Sequence, residues 1–403
     1  MSSNKQFDSL WSAEARSFKP SAIRAFASLI NDPKIISFAG GLPSPLTFPA
    51  EKISLYASVV LREQRDVTLQ YGATKGLPSL REFAAEWTRR RGVEARVEEV
   101  MITTGSQQAL DLVSRSLLDP GDVVLVELPT YIGATSSFHA RQAELAGVEQ
   151  DDDGIDVDSL DEVARRMKAA GKRVKFLYTI PNFQNPSGRL LSPERRSRVL
   201  EVAARHGFMI IEDDPYGELV FDESAQTTPI KAADRDNWVI YLSSFSKVLA
   251  PGLRCGWIVA PESLLRKFEL AKEAADLCSG MLDQSIVSAF CAAGEMPAQL
   301  ERVRSFYRDR RDVLMTALHS RFDGKARWTE ARGGLFTLLT LNDDRDTREW
   351  VPRAIERGVA YIPGGAFFVD GSRNNTMRLT FAKEPDDRMR EGVERLADLF
   401  FGA

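Results

Sequence analysis

Short apolar, β-branched segments alternate with segments of helical periodicity between about residue 100 and residue 260, and this alternation constrains the fold most. Strands with few polar residues are typical of parallel sheets covered by helices on both faces. The pattern therefore predicts an α/β fold with a doubly wound, mostly parallel sheet, and an α+β mixture of the same elements remains an alternative. The predicted strands are EVMITTG, DVVLVELP, VKFLYTI, FMIIEDDP, WVIYLSS and RCGWIVAP.

After residue 260 the alternation stops. Two longer helical segments precede the strands GGLFTLLTL, GVAYIPG and TMRLTFA, and a final amphipathic segment follows. Strands and helices without regular alternation are typical of α+β domains. We expect an N-terminal segment over residues 1–50 that is associated with the small domain and the substrate site. The large α/β domain is expected over residues 51–295 and the smaller α+β domain over residues 296–403.

Bulk composition excludes several classes of protein. The net charge of −4, with both signs interspersed, leaves no basic stripe, so we expect no nucleic-acid partner. No apolar run reaches the ~20 residues needed to cross a bilayer, and the N-terminus lacks the apolar core of a signal peptide. The three cysteines have neither metal-ligand nor disulfide spacing. We therefore expect a cytoplasmic protein with no membrane partner and no metal.

Polar residues follow almost every predicted strand. In open parallel sheets, ligands bind beyond the carboxyl ends of the strands, so these side chains are expected to converge on one crevice. They are Gly105, Ser106, Gln107, Tyr131, Asn182, Asn185, Asp213, Tyr216, Ser244, Ser246 and Lys247.

The residue types in this set indicate a ligand with a phosphate and a planar ring. Ser106 opens a helix directly after a strand, where free N–H groups bind phosphate, and Arg254 can add two hydrogen bonds. Asp213 follows the apolar segment FMII, and a buried carboxylate requires a cationic partner or strong donors. Tyr131 can stack on a ring. The alternatives are a plain helix cap for Ser106, a surface ion pair for Arg254, a local salt bridge or cap for Asp213 and ordinary packing for Tyr131.

Lys247 stands at the end of the apolar segment WVIYLSSFSK, where an ammonium group is costly to bury. An amine nucleophile, a phosphate site, an aromatic ring and a buried acid for a ring nitrogen together describe a site for pyridoxal 5′-phosphate. Lys247 is then tolerated because it is condensed with the cofactor or released as a neutral amine of lowered pKa.

Eleven segments in one order carry a family resemblance over nearly the whole chain: SAIRAF, ISFAGGLPSP, LQYGATKGLPSLRE, TTGSQQALDL, PTYIGA, DDDGIDVDSL, PNFQNPSGR, EDDPYGEL, SSFSKVLAPGLRCGW, YIPGGAFF and MRLTFA. The chain resembles the fold-type I aminotransferases of class I and II, in particular the 2-aminoadipate/kynurenine aminotransferase-like subgroup. The resemblance implies the fold of pyridoxal phosphate-dependent transferases of type I, with a mostly parallel central sheet flanked by helices and a smaller α+β domain.

The resemblance assigns roles toward the cofactor. Lys247 resembles the lysine that forms a Schiff base, and Asp213 the partner of the pyridine nitrogen. Asn185 and Tyr216 resemble the donors to the phenolic oxygen, and Tyr131 the stacking aromatic. Lys247, Asp213 and Tyr216 are the expected catalytic residues. The expected phosphate-binding residues are Gly105, Ser106, Gln107, Ser244, Ser246 and Arg254.

The resemblance also implies substrate and partner contacts. Arg378, in MRLTFA, resembles the arginine that binds the substrate α-carboxylate, beside Asn185. Gly41 and Arg24 belong to the N-terminal segment that covers the substrate side chain in this subgroup. Tyr71, in QYG, resembles a residue that reaches the cofactor phosphate of the neighbouring subunit, so a homodimer with shared sites is expected.

The expected activity is transfer of an amino group from an L-amino acid to a 2-oxo acid, with 2-oxoglutarate as acceptor, by a ping-pong mechanism. An aromatic, aminoadipate-like or branched donor is expected. Met281 and Leu282 favour an apolar or aromatic side chain, with core packing as the alternative for Met281, and Arg24 can pair with a distal carboxylate. Competing interpretations are β-elimination or decarboxylation with the same cofactor, and a regulator that uses this fold as a sensor. The short arm before FAGG leaves no room for a winged helix, which argues against the regulator.

Overall fold

The computed structural model describes residues 5–18 and 32–402 of the chain. Its centre is one sheet of eight strands. In chain order, the first nine strands are β1 (Ile36–Ser37), which lies outside this sheet, β2 (Val100–Thr104), β3 (Val123–Leu128), β4 (Glu144–Asp151), β5 (Gly154–Ile155), β6 (Val174–Thr179), β7 (Met209–Asp213), β8 (Val239–Ser244) and β9 (Cys255–Val259).

The central sheet is mostly parallel, as the sequence predicts. Its order is β2-β9-β8-β7-β6-β3-β4-β5, and the five neighbours from β8 to β4 run parallel. β9 is antiparallel to both β2 and β8, and β5 is antiparallel to β4. The connection from residue 245 to residue 254 is too short for the crossover that a parallel pair needs, so β9 must turn back along β8. β9 is therefore an antiparallel member of a mostly parallel sheet.

A search for apolar runs misses β4. Its sequence, ELAGVEQD, contains three acidic residues and a glycine, and its buried positions alternate with exposed or half-buried ones. Such a strand has a weak propensity signal, because only one face of it enters the core. Pairing with β3 supplies the backbone hydrogen bonds that define it.

Helices cover both faces of the central sheet. Val124 and Val126 of β3 enter one hydrophobic cluster, whereas Val123 and Leu125 enter another, because successive side chains of a strand point to opposite faces. Within the described residues, no helix is long and apolar enough to cross a membrane. In chain order the helices are α1 (Ala13–Ser17), α2 (Ala50–Glu63), α3 (Arg65–Thr68), α4 (Pro78–Arg90), α5 (Gly105–Leu117), α6 (Ile132–Ala140), α7 (Val157–Ala169), α8 (Pro193–His206), α9 (Glu262–Asp276), α10 (Met281–Ala292), α11 (Met296–Phe322), α12 (Val351–Glu356) and α13 (Asp386–Phe401).

The last part of the chain forms a smaller antiparallel sheet. Its strands are β10 (Ala326–Trp328), β11 (Phe336–Leu341), β13 (Ile362–Pro363) and β14 (Thr376–Thr380), and β12 (Val359–Ala360) precedes β13 in the chain. The order is β10-β11-β14-β13, and α13 packs against α11. β1 pairs in parallel with β12, so the segment before the central sheet joins the C-terminal part of the chain.

The carboxyl ends of β2, β3, β6, β7 and β8 lie at one edge of the central sheet. The last four of these strands belong to the parallel series, and β2 has the same direction because β9 is antiparallel to both of its neighbours. The residues that follow these five strands therefore meet at one edge, where open α/β sheets bind their ligands.

Candidate active site

The edge formed by these strand ends contains a cavity of about 390 Å³. A larger groove of about 610 Å³ runs past Gln150 and Trp328, but none of the predicted site residues lines it. The predicted residues that line the smaller cavity are Gly41, Ser106, Gln107, Tyr131, Asn185, Asp213, Tyr216, Ser244, Ser246, Lys247, Arg254 and Arg378.

A few predicted residues lie elsewhere. Tyr71 does not line the cavity, and 79% of it is exposed. Asn182 is buried away from the cavity, where its amide donates to Oδ1 of Asp214 at 2.9 Å and to the Thr227 carbonyl at 3.1 Å. Arg24 lies outside the described residues.

Lys247 lies in the turn after β8 with its amine buried. Its Nζ donates to the Gly41 carbonyl at 3.2 Å, which connects the site to the N-terminal segment. Burial lowers the pKa of Lys247 to about 8, and the positive charges of Arg378 and Arg254 contribute to this lowering, against the opposing charge of Asp213. A lysine with this pKa is still mostly protonated at neutral pH, but its neutral fraction is far larger than that of an ordinary lysine, and the neutral form is the one that acts as a nucleophile or a base.

Asp213 is the last residue of β7, and its carboxylate is buried with half of its acceptors used. Oδ2 accepts from the Tyr178 hydroxyl at 2.8 Å, whereas Oδ1 has no partner among the described residues. Burial raises the pKa of Asp213 to about 7, and the charge of Asp214 contributes to this. The Tyr178 hydrogen bond and the charge of Lys247 oppose the rise. A cationic donor at Oδ1 would satisfy this carboxylate.

The first turn of α5 faces the same cavity. No side chain caps this helix end, so its first N–H groups are available to an anion. Arg254 lies beside it, with Nη2 donating to the Thr104 carbonyl at 3.2 Å. The Ser244 and Ser246 hydroxyls are 2.8 Å apart and complete a set of donors suited to phosphate.

The side chain of Gln107, in the first turn of α5, also contacts the neighbouring helix α6. Its amide donates to the Gly133 carbonyl at 2.9 Å and to the Ser137 hydroxyl at 3.0 Å, and both of these residues belong to α6. Gln107 therefore connects α5 to α6, the helix that follows Tyr131, and fixes the first turn of α5 relative to Tyr131.

Arg378 on β14 closes the other side of the cavity. Its Nη1 donates to Oδ1 of Asn185 at 2.9 Å and its Nη2 to the Ala39 carbonyl at 2.8 Å. The guanidinium carbon lies 4.4 Å from the centroid of the Phe336 ring and 5.2 Å from that of Phe367. Burial lowers the pKa of Arg378 to about 10, which leaves it a cation at neutral pH.

Tyr216 lies against Phe336 in an edge-to-face arrangement, with the ring centroids 5.9 Å apart. Burial raises the pKa of the Tyr216 phenol, with a further contribution from Tyr131, so it remains a hydrogen-bond donor. Tyr131 itself lines the cavity and is half-buried. These two phenols and Asn185 add further polar groups to the lining of the cavity.

The residues fit pyridoxal phosphate on three structural grounds. The unpaired Oδ1 of Asp213 suits a protonated ring nitrogen, the uncapped start of α5 suits a phosphate, and the buried amine of Lys247 suits an aldehyde. The model for aminotransferases of class I and II matches residues 46–396. The chain belongs to this family. It is a pyridoxal phosphate-dependent aminotransferase, and it acts on amino acids.

Several relatives of this aminotransferase carry related names. An aromatic-amino-acid aminotransferase of Thermococcus litoralis is 42% identical over 97% of this chain and 94% of its own. A kynurenine aminotransferase of Pyrococcus horikoshii is 40% identical, with a TM-score of 0.93 over 97% of both chains. The α-aminoadipate aminotransferase of Thermus thermophilus, solved with N-(5′-phosphopyridoxyl)-L-leucine, is 39% identical, with a TM-score of 0.90 over 98% of both chains.

Sequence reasoning about the aminotransferase missed Tyr178, Phe336 and Phe367. Tyr178 lies inside the apolar segment VKFLYTI. Because a phenol in a buried strand needs a hydrogen-bond acceptor, its presence there could have indicated a contact with a buried polar group. The two phenylalanines come from distant segments and carry no comparable signal. Met281 does not line the cavity of its own chain; it is buried, and its sulfur leaves no room for a Cβ at residue 72.

A methyl group at residue 105 would disturb the phosphate-facing turn. An added Cβ would collide with Nη2 of Arg254, so Gly105→Ala should displace the guanidinium and weaken cofactor binding about tenfold or more. The dissociation constant of pyridoxal phosphate, measured by equilibrium dialysis, checks this. Gly121→Ala is the matched control, because it also has a positive φ but meets nothing within 4 Å. Equal losses in both variants would contradict the role of this turn.

The lowered pKa of Lys247 predicts the pH dependence of cofactor capture. Because only the neutral amine attacks the aldehyde, capture of pyridoxal phosphate by the apoenzyme should accelerate as the pH rises toward about 8 and level off above it. An ordinary lysine would continue to accelerate to about pH 10. Stopped-flow absorbance at a series of pH values measures this rate, with Lys247→Ala as the blank. A rate still rising steeply above about pH 9 would contradict the assignment.

Proposed function

We propose that this aminotransferase transfers the amino group of an aromatic, aminoadipate-like or branched L-amino acid to 2-oxoglutarate by a ping-pong mechanism. The observation that carries the proposal is the single cavity in which Lys247, Asp213 and Arg378 meet. The names of the relatives, which cover aromatic amino acids, kynurenine and aminoadipate, support the donor class.

Different residues would hold the ring nitrogen, the ring face, the phenolic oxygen and the phosphate of the cofactor. Asp213 holds the proton of the ring nitrogen through Oδ1, and Tyr131 covers the ring. Asn185 and Tyr216 donate to the phenolic oxygen. When bound, pyridoxal phosphate supplies an electron sink for the pair left on Cα when its proton departs. The phosphate is held by Gly105, Ser106, Gln107, Ser244, Ser246 and Arg254.

Lys247 holds the cofactor and moves the proton. In its neutral form this amine would hold the cofactor through its aldehyde, and once displaced by the substrate amine it would be the base placed to accept the Cα proton. A base with a pKa of about 8 is matched to this task near neutral pH. The Gly41 carbonyl orients Nζ when the amine is not bonded to the cofactor.

Arg378 binds the substrate α-carboxylate. It is buried, it remains a cation, and its Nε has no partner among the described residues. Two-point contact with a planar carboxylate orients Cα toward Lys247 and keeps the carboxylate in place, which favours transamination over decarboxylation. Gly41 borders this arginine, since an added Cβ there would lie 3.7 Å from Nη2. The role of Arg24 over the substrate side chain stays part of the proposal.

The proposal includes a homodimer whose subunits share their sites. Tyr71 is exposed together with Val67 and Leu69, which places an apolar, aromatic surface beside its own chain's α3. Such a surface suits a second copy of the chain, with Tyr71 donating to the phosphate held by that copy.

We also propose a cytoplasmic location, in line with three free cysteines, and a division of the chain at residues 50 and 295.

A panel of amino donors tests the proposed activity. Single aromatic, aminoadipate-like and branched L-amino acids are expected to bleach the visible absorbance of the bound cofactor, and 2-oxoglutarate is expected to restore it. Lys247→Ala should show neither change. Failure of every donor in the panel would contradict the donor class, and pyruvate with ammonia from serine analogues would favour β-elimination instead.

A subunit-mixing experiment tests the shared site. Tyr71→Ala and Lys247→Ala chains are each expected to be nearly inactive, whereas a hybrid dimer keeps one site with both native residues. Random mixing should therefore restore roughly a quarter of the native activity. If Tyr71 served its own subunit, no site in the hybrid would be intact and the mixture would stay inactive.

A further inference from the structure

A buried tyrosine outside the predicted set contacts the acid of the site. Tyr178 lies one residue before the end of β6, and β7 runs beside β6 in parallel. Its hydroxyl donates to Oδ2 of Asp213 at 2.8 Å, and both side chains are buried. Asp213 lines the cavity, and its second oxygen, Oδ1, has no partner among the described residues. One oxygen of the Asp213 carboxylate is therefore hydrogen-bonded within the protein, and the other is left without a donor.

The surroundings of Tyr178 preserve this contact. The Phe138 ring packs edge-to-face on Tyr178 with the centroids 5.6 Å apart, which restricts the phenol ring. The titratable groups that face Tyr178 are Asp213, Tyr131 and Glu127. Burial, with the charge of Asp213, raises the pKa of Tyr178 well above its usual range. A phenol that keeps its proton beside a carboxylate can only donate to it, so the direction of the hydrogen bond is fixed.

We propose that Tyr178 is a positioning residue for the transamination: it occupies Oδ2 of Asp213 and leaves Oδ1 to accept from the ring nitrogen of pyridoxal phosphate. This inference rests on the role proposed above for Asp213. A donor at Oδ2 stabilises the ionised carboxylate, so the shared proton stays on the ring nitrogen rather than moving to the acid. The ring then keeps the positive charge that makes it an electron sink.

Among the described residues, Tyr178 is the one side chain that donates a hydrogen bond to the carboxylate of Asp213. Lys247 acts on Asp213 by its charge, and the neighbouring carboxylate of Asp214 acts in the opposite direction. Asp214 has its own partners, since it accepts from Asn182 and Tyr241 and pairs with Arg91 at 3.1 Å. The removal of the Tyr178 hydroxyl would therefore leave Asp213 without a hydrogen-bond donor from the described residues.

The neighbouring carboxylate of Asp214 offers a matched control. Tyr241 on β8 is as deeply buried as Tyr178, and its hydroxyl donates to Oδ2 of Asp214 at 3.0 Å. Tyr241→Phe removes the same group from the same kind of contact, at an acid one residue further along the chain than Asp213. Any general effect of losing a buried phenol hydrogen bond should appear equally in both variants.

The test compares Tyr178→Phe and Tyr241→Phe as holoenzymes loaded with pyridoxal phosphate that carries ¹⁵N in its ring. In Tyr178→Phe, the ring-nitrogen NMR signal should move toward that of unprotonated pyridine, and kcat should fall about 10- to 100-fold with little change in KM. This is the size expected for losing one hydrogen bond to a charged group. Tyr241→Phe should leave the nitrogen signal and kcat unchanged.

An unchanged nitrogen signal in Tyr178→Phe, or equal shifts in the two variants, would overturn the inference. Asp213→Asn separates this result from a failure of the proposed function. If Asp213→Asn also leaves the signal unchanged, the role of Asp213 is wrong, whereas a shift in Asp213→Asn alone removes only the inference about Tyr178.

If Tyr178→Phe does not fold, a fluorinated tyrosine is placed at residue 178 by a suppressor transfer RNA. Its phenol is a stronger donor of nearly the same shape, so the ring-nitrogen signal should move further toward the protonated form. A signal that stays in place, or that moves the other way, would overturn the inference.

Discussion

The site depends on one buried carboxylate whose two oxygens differ in their hydrogen bonding. Asp213 is almost fully enclosed at the end of β7, and only one of its oxygens finds a donor within the described residues. An ionised group in this state costs several kcal/mol in an apolar surrounding, which is why its pKa rises toward neutrality. A cationic ring in the cavity would offset this cost, because it would donate the hydrogen bond that Oδ1 of Asp213 lacks within the protein. Burial acts in the opposite direction on the two cations, because it lowers the pKa values of Lys247 and Arg378.

The position of this acid follows from sheet geometry, and sequence alone predicts that geometry well. The apolar segments FMII and WVIYL specify strands buried on both faces, and parallel neighbours bring their carboxyl ends together, so Asp213 and Lys247 had to be close. Tyr131 and Asn185 were predicted to join them for the same reason, Arg254 was predicted because it can add two hydrogen bonds to a phosphate, and all three line the cavity. Their individual roles depend on contacts with a cofactor, which strand order cannot specify.

The features that sequence reasoning did not supply depend on side-chain packing between distant segments. Tyr178 looks like one more apolar residue in VKFLYT, and its contact with Asp213 depends on the register of β6 against β7. The contacts of the Gln107 amide with α6 were not predicted, because they depend on how closely α6 packs against the first turn of α5. β4 escaped notice because its burial alternates, and the direction of β9 follows from a loop length rather than from its own residues.

The contacts of Arg378 tie together three parts of the chain that are far apart in sequence. Its guanidinium reaches the Ala39 carbonyl before the central sheet and the Asn185 amide beyond β6, while its own backbone belongs to β14. These two acceptors leave other N–H groups of the guanidinium, Nε among them, for an incoming carboxylate. The guanidinium is therefore held in place by neutral acceptors, and a ligand with a carboxylate supplies the counter-charge that these acceptors do not provide.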